Sequence, residues 1–337
     1  MYIVAIIQAR MGSTRLPGKV MLPISDDIPM IGALLFRLAK SKEIDKIVVA
    51  TSVDPRNKPL IDYVEKKGYD VFQGSENNVL DRYYRASLKY KPDIVIRITA
   101  DCPLIDSEII DDVIRKYKSS NADYACNTIP PTYPDGLDVE VFSFLSLKTA
   151  WRDAKTSYDC EHVTSFIRNS GNFKIKNIAS SVDYSDERWT VDECEDYKVV
   201  KSIFKHFYPR LDFSWNDVLS LTHSNPDIFL INKHLIRNEG ANMNNGQKLY
   251  KRAKKIIPGG GMLLSKRPEM FLPEKWPSYF SKSKGCKVWD LDGKEYIDMS
   301  IMGIGTNTLG YGHPEVDEAV SRAIKDGNMS TFNCPEE

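Results

Sequence analysis

Residues 3–7, Ile-Val-Ala-Ile-Ile, form an unbroken apolar run dominated by β-branched side chains. Such a run suits a strand covered on both faces. Ile47–Ala50 and Ile94–Thr99 read the same way. Between them the period changes. Ile31, Leu34, Leu35 and Leu38 recur at helical spacing, as do Leu60, Ile61 and Val64, and then Val79, Leu80, Tyr83 and Ala86. Gly68 is placed to stop the second of these helices. Ile109, Ile110, Val113, Ile114 and Tyr117 predict another helix, beginning near Asp106. Strands separated by helices of about 10–15 residues predict an α/β domain, a mostly parallel sheet with helices on both faces.

The middle of the chain is less regular. Residues 126–178 carry Pro130, Pro131 and Pro134, with a strand expected at Asp138–Phe142, and read as a lobe over one side of the sheet. Arg188–Val191 is expected to return as a strand. A helix follows, with Tyr197, Val200, Phe204 and Phe207 on one face and Pro209 beyond its end. Asn225–Ile236 reads as the end of this domain. Residues 238–246 are small and polar and read as a linker. The expected organisation is a domain at 1–237, the linker at 238–246, and a segment of different character at 247–337. In that segment Lys251, Arg252, Lys254 and Lys255 lead into Pro258-Gly-Gly-Gly261.

Composition narrows the class. A chain of 337 residues is longer than one average domain. Lys plus Arg equals Asp plus Glu at 46 each, so no basic excess points to nucleic acid or an anionic membrane as partner. The longest apolar runs fall far short of the roughly 20 residues of a membrane span. The N-terminus reads as a strand, with no basic leader. The cysteines are scattered without metal-ligand spacing, which reads as free thiols in a reducing cytoplasm.

The strongest chemistry lies between Ala9 and Lys19. This loop leaves the C-terminal end of the first buried strand, where open α/β sheets bind ligands. Gly12 and Gly18 allow close backbone approach to a phosphate, Ser13 and Thr14 add hydroxyl and amide donors, and Arg10, Arg15 and Lys19 supply cations. It is not a P-loop: Gly12 and Gly18 are six apart, and Val20 stands where that motif has a hydroxyl residue. Asp101 follows the strand Ile94–Thr99, and Asp192 follows Arg188–Val191, so two carboxylates from distant positions are expected at the same sheet edge. Each also suits a turn or a helix cap.

The run Ile6-Ile-Gln-Ala-Arg-Met-Gly-Ser-Thr-Arg-Leu-Pro-Gly-Lys19 resembles the signature of cytidylyltransferases that activate acidic sugars, including the sialic acid and ketodeoxyoctonate families, and in particular the branch called spore coat polysaccharide biosynthesis protein F. Support comes from Gly74-Ser-Glu-Asn-Asn-Val-Leu-Asp-Arg-Tyr83, Arg97-Ile-Thr-Ala-Asp-Cys-Pro-Leu104, Pro134-Asp-Gly-Leu-Asp-Val-Glu-Val141 and Arg188-Trp-Thr-Val-Asp192. The resemblance covers residues 1–237. It implies a Rossmann-like nucleotidyltransferase that joins CMP from CTP to a small sugar-like acceptor and releases pyrophosphate. Asp101 and Asp192 inherit Mg²⁺ beside the α-phosphate, consistent with hard oxygen ligands. Arg10, Arg15, Lys19, Asp101 and Asp192 are the expected catalytic set. Ala9, Arg10, Gly12, Ser13, Lys19, Thr51, Asp54, Arg82 and Asp101 are expected around the nucleotide, with Arg82 also readable as a surface ion pair. Tyr133, Asp135, Asp138, Glu140 and His162 are expected around the acceptor. There the clustered carboxylates suit hydroxyls or an amino group, but also a turn leading into a strand. Glu161-His162 is expected at the start of a helix. A homodimer is left open.

Two rival readings remain at this point, a nucleotide-sugar glycosyltransferase and a catalytically silent scaffold. The first usually carries Asp-x-Asp, which Asp101-Cys102-Pro103 lacks. The second is opposed by the intact charged set. From Gln247 onward, Leu249-Tyr-Lys-Arg-Ala, Ile257-Pro-Gly-Gly, Lys287–Met299 and Gly310-Tyr-Gly-His-Pro-Glu315 resemble the opening of class III, pyridoxal-phosphate aminotransferases of the glutamate-semialdehyde aminomutase type. Residues 287–299 read as a hairpin about Asp292-Gly293. The resemblance implies an incomplete aminotransferase segment from a longer fusion. Pyridoxal phosphate is expected to bind covalently only in a fuller protein.

Overall fold

The computed structural model describes all residues except 14, 26, 27, 236, 238–243, 274, 301, 304 and 326–337. Most of the expected linker therefore lies outside the described residues. The chain divides into two compact units, Met1–Arg237 and Asn238–Glu337.

Unit 1 is built on a seven-stranded sheet. Its strands are β1 (Ile3–Gln8), β2 (Lys46–Ser52), β3 (Asp70–Gly74), β4 (Ile94–Thr99), β5 (Tyr124–Cys126), β6 (Glu140–Ser143) and β7 (Ile175–Asn177), in the spatial order β3-β2-β1-β4-β6-β5-β7. The first four are parallel, with Ile3 opposite Ile94 and Val4 opposite Lys46. β6 runs antiparallel to both β4 and β5, and β7 is parallel to β5.

The central strands are mostly apolar because both faces are covered. Ile3, Ala5 and Ile7 enter one hydrophobic cluster, and Val4 and Ile6 enter the other. The first cluster is completed by α1 (Met30–Leu38), α2 (Lys58–Lys66), α4 (Ser107–Lys118), α8 (Cys194–Phe207) and α9 (Trp215–Ser224). The second is completed by α3 (Val79–Tyr90), α5 (Phe144–Asp153) and α7 (Ser165–Asn169). A short helix α6 (Ser157–His162) precedes α7, and α10 (Pro226–Leu230) follows α9. Asp106 caps α4 by accepting from the Glu108 N–H at 2.9 Å.

Three sequence expectations are corrected. The strand expected at Asp138–Phe142 begins at Glu140. The Asn127 side chain takes the Val139 N–H at 2.9 Å and donates to the Leu137 carbonyl at 2.7 Å, so those backbone groups are unavailable to a ladder. Arg188–Val191 is not a strand of the sheet. Its single bridge pairs Arg188 with Asp135, and the Val191 N–H goes to the Asp101 carbonyl at 2.8 Å. Glu161-His162 ends α6 rather than starting a helix, because Thr156 caps that helix upstream.

Unit 2 holds α11 (Asn245–Ile256), an antiparallel sheet of β8 (Phe280–Lys284), β9 (Lys287–Asp290) and β10 (Glu295–Ile297), and α12 (Pro314–Lys325). The hairpin about Asp292-Gly293 is present. Gly293 sits at φ +80, and the Asp290 carboxylate accepts from the N–H groups of Asp292 and Lys294 at 2.9 Å. α12 buries none of its described residues.

Candidate active site

The loop after β1 is folded back on itself. Ala9 is buried and its N–H reaches the Ala50 carbonyl at 3.3 Å, which ties the loop to the end of β2. The Met11 N–H is taken by Asn57 Oδ1 at 2.8 Å, and the Gly18 N–H by the Met11 carbonyl at 3.0 Å. Gly18 adopts φ +70, which only glycine accepts without strain. Gly12 has no such need: a Cβ there would meet nothing closer than Glu76 Oε1 at 3.8 Å. Ser13 is half-buried. Thr14 lies outside the described residues.

This folding aims Lys19 at the sheet edge. Its Nζ lies 3.3 Å from Asp101 Oδ2 and 2.9 Å from Asp192 Oδ1, and donates to the Val191 carbonyl at 2.7 Å. Arg15 adds a second cation, 2.8 Å from Asp192 and 3.8 Å from Glu193. Burial alone would lower the Lys19 pKa, but Asp101 and Asp192 outweigh it and raise the value above 10.5. Burial would likewise raise Asp101, yet Lys19 and the Thr99 hydroxyl hold it below 3.8. The two carboxylates, 91 positions apart, are thus gathered by one ammonium. Among the described residues no group of three or more His, Cys, Asp or Glu could hold a metal. Two carboxylates are nevertheless the usual protein share for Mg²⁺, which takes its other oxygens from water and phosphate.

Beside this pair lies a network the sequence did not announce. Arg188 donates to Asp196 from Nε and Nη2, and to Asp135 from Nη1, all at 2.9 Å, and lies 3.6 Å from Asp192. Asn232 completes the Asp196 contacts at 2.8 Å. Arg237 donates to the Tyr133 carbonyl at 3.0 Å and to Asp138 at 2.6 Å, and its Nε is 3.6 Å from Asp135. Burial and the neighbouring Asp138 push the Asp135 pKa up to about 7, against the pull of Arg237 and Arg188. Gly136, at φ +108, permits this packing, since a Cβ would sit 2.6 Å from the Thr190 nitrogen.

The remaining expected residues divide. Glu140 is buried against Arg97, with Oε2 lacking a hydrogen-bond partner. The Tyr133 ring is in the core, edge-on to Trp215 at 5.4 Å, and only its carbonyl serves the acidic cluster. His162 packs on the Tyr158 ring at 4.3 Å. Arg10 pairs with Glu76 at 2.9 Å. Thr51 is buried with its hydroxyl unpartnered. Asp54 caps a short turn and pairs with Arg56. Arg82 is fully buried, and none of its guanidinium nitrogens has a hydrogen-bond partner. Burial lowers its pKa. It is therefore not the surface ion pair that its helix position also allowed.

Arg97, Arg188 and Arg237 were missed as site residues. Arg97 had a signal, a charge inside a β-branched strand, which requires a buried partner. Arg237 had none.

Comparison with known proteins gives the family. The cytidylyltransferase family model matches residues 4–207. The spore coat polysaccharide biosynthesis protein SpsF of Bacillus subtilis is 34% identical over 233 residues, covering 67% of this chain and 95% of that protein. A solved cytidylyltransferase from Leptospira borgpetersenii has a TM-score of 0.65 at 35% identity, over 68% of this chain and 97% of that one. The class III aminotransferase model matches residues 273–337. Glutamate-1-semialdehyde 2,1-aminomutase of Acetivibrio thermocellus is 42% identical over 79 residues, 23% of this chain and 18% of that enzyme. The chain spans about a fifth of that aminotransferase-type relative.

Proposed function

The chain belongs to the cytidylyltransferase family, and from that premise we propose that residues 1–237 form a domain that transfers CMP from CTP to a sugar-like acceptor in polysaccharide biosynthesis. The observation that carries the reading is Lys19, brought by the β1 loop onto both Asp101 and Asp192. An acceptor oxygen attacks the α-phosphorus, the bond to the β-phosphate breaks, and pyrophosphate leaves with the acceptor's proton passing to solvent. Such a transfer depends mainly on positioning and charge neutralisation.

The chain's own residues divide that work. Asp101 and Asp192 would hold Mg²⁺, which supplies charge neutralisation at the α-phosphate when bound. Lys19 and Arg15, already at the carboxylates, extend the positive field to the outer phosphates and the departing pyrophosphate. Arg10 closes the other side of the loop. Arg82 holds an unpaired guanidinium in the interior, which suits a polar group of the nucleotide. Thr51 and Asp54 flank the end of β2. The acceptor is assigned to Asp135, Asp138 and Glu140, with the Tyr133 carbonyl beside them and His162 as a further candidate. Among the described residues no helix is long and apolar enough to cross a membrane. A cytoplasmic setting without a nucleic-acid partner is part of the same proposal.

The test is release of pyrophosphate from CTP, UTP, ATP and GTP with candidate acceptors and Mg²⁺. CTP is expected to be preferred, and Asp101→Asn and Asp192→Asn to abolish release while remaining folded. Release of a nucleoside diphosphate from a nucleotide-sugar instead would reassign the protein to glycosyl transfer.

A further inference from the structure

Resting on the cytidylyltransferase reading, we propose that Asp135 and Asp138 form a subsite for an ammonium group on the acceptor, occupied in the free protein by the guanidinium of Arg237. The acceptor is then an amino sugar or a similar polyol amine.

Arg237 behaves as a substitute ligand. It lies in a turn at the end of unit 1, 99 positions beyond Asp138, yet all three of its guanidinium nitrogens face the acceptor cluster. A cation fixed by two carboxylates and a carbonyl is what an ammonium with three donors would require. Held on a turn rather than on the sheet, it can be displaced without dismantling the fold.

The cluster is also short of positive charge. Arg188 is shared among Asp135, Asp196 and Asp192, which leaves Arg237 as the main partner of Asp138. Glu140, two residues further along, is buried, and its charge adds to that on Asp138. Its Oε1 is taken by Arg97, and the Thr164 and Tyr124 hydroxyls beside it help to hold it ionised. The subsite adjoins the reaction centre, because Arg188 touches both Asp135 and Asp192.

The second unit's likeness to class III aminotransferases names a reaction class that would supply such an acceptor. In transamination the carbonyl of a precursor becomes a carbon bearing an amino group. The amino donor gives up that group and leaves as the matching oxo compound.

The experiment uses the full 337-residue chain. Glucosamine, mannosamine and galactosamine are each titrated against glucose, mannose and galactose by ligand-observed NMR, with CTP bound and Mg²⁺ withheld. In at least one pair the amine is expected to bind about tenfold more tightly, as a charged hydrogen bond would give. That preference is expected to vanish in Asp138→Asn and to grow in Arg237→Gln, where the substitute cation is gone. Equal binding in every pair, or a preference that survives Asp138→Asn, overturns the subsite. If Asp138→Asn does not fold, Arg237→Gln decides alone, and an unchanged or weaker preference counts against it. CTP binding is measured first. Its absence sinks the cytidylyltransferase reading, whereas CTP binding without amine preference sinks only this subsite.

Discussion

Lys19 carries its charge where burial opposes it, and it keeps that charge because Asp101 and Asp192 are close enough to outweigh the burial. Lys19→Met leaves both carboxylates without their ammonium. Turnover is expected to fall by about a hundredfold or more, the usual cost of losing one preorganised cation or donor. Mg²⁺ should raise the melting temperature more in the variant than in the wild type, since no ammonium remains to compete. Equal Mg²⁺ shifts would contradict this. Asp135 gives a prediction in pH. Its pKa rises from 3.8 to about 7 on folding, so the folded chain binds the proton more tightly. The associated stability is complete below about pH 4 and is lost as pH climbs through about 7. Asp135→Asn should therefore lose less stability than the wild type between about pH 5 and about pH 8, read as urea midpoints. At this scale the positions of the β1 loop and of Asp101 were legible, because buried strands announce where their C-terminal ends lie, whereas Asp192 was expected from a strand that the sheet does not contain. Arg237 was not, because its partners are about a hundred residues upstream and nothing in its local sequence distinguishes it.

Among the elements, periodicity identified the central strands and the helices packed on them, since both-faces burial leaves an unbroken apolar run. It failed where extended backbone bonds to loops. Trp189, Thr190 and Val191 are strand-forming residues, but the Trp189 N–H goes to the Asp135 carbonyl at 2.7 Å and the Val191 N–H to the Asp101 carbonyl. Their side chains report burial and not a ladder. This crossing of two extended segments depends on Gly136. A side chain there would need φ +108 and would meet backbone atoms of Trp189 and Thr190 within 2.9 Å. Gly136→Ala is expected to cost about 2 kcal/mol or more, because both the dihedral and the contact are unfavourable. For a domain of this size that is roughly 4–8 °C of melting temperature. The acceptor KM should rise more than the KM for CTP, because Asp135 and Arg188 are displaced together. An unchanged melting curve would count against the contact.

For the whole molecule, the division at Arg237 predicts that residues 1–237 fold and catalyse without the second unit. The cut must keep Arg237. The fragment is expected to match the full chain in melting temperature and in CTP-dependent pyrophosphate release. Insolubility of the fragment alone would make unit 2 part of the catalytic body. What unit 2 does with its exposed faces was not legible, because sequence likeness there reaches only a fifth of its relative. The central position of β1 has a further consequence, set by time. Ile3 pairs with Ile94, so β1 waits for one of its two partners until 91 more residues have been made. At ordinary translation rates that delay is roughly 5–20 s. Until β2 has been made both edges of this apolar strand are open, and the edge that takes β4 stays open for the whole delay, which makes it the interval when the nascent chain most needs a chaperone.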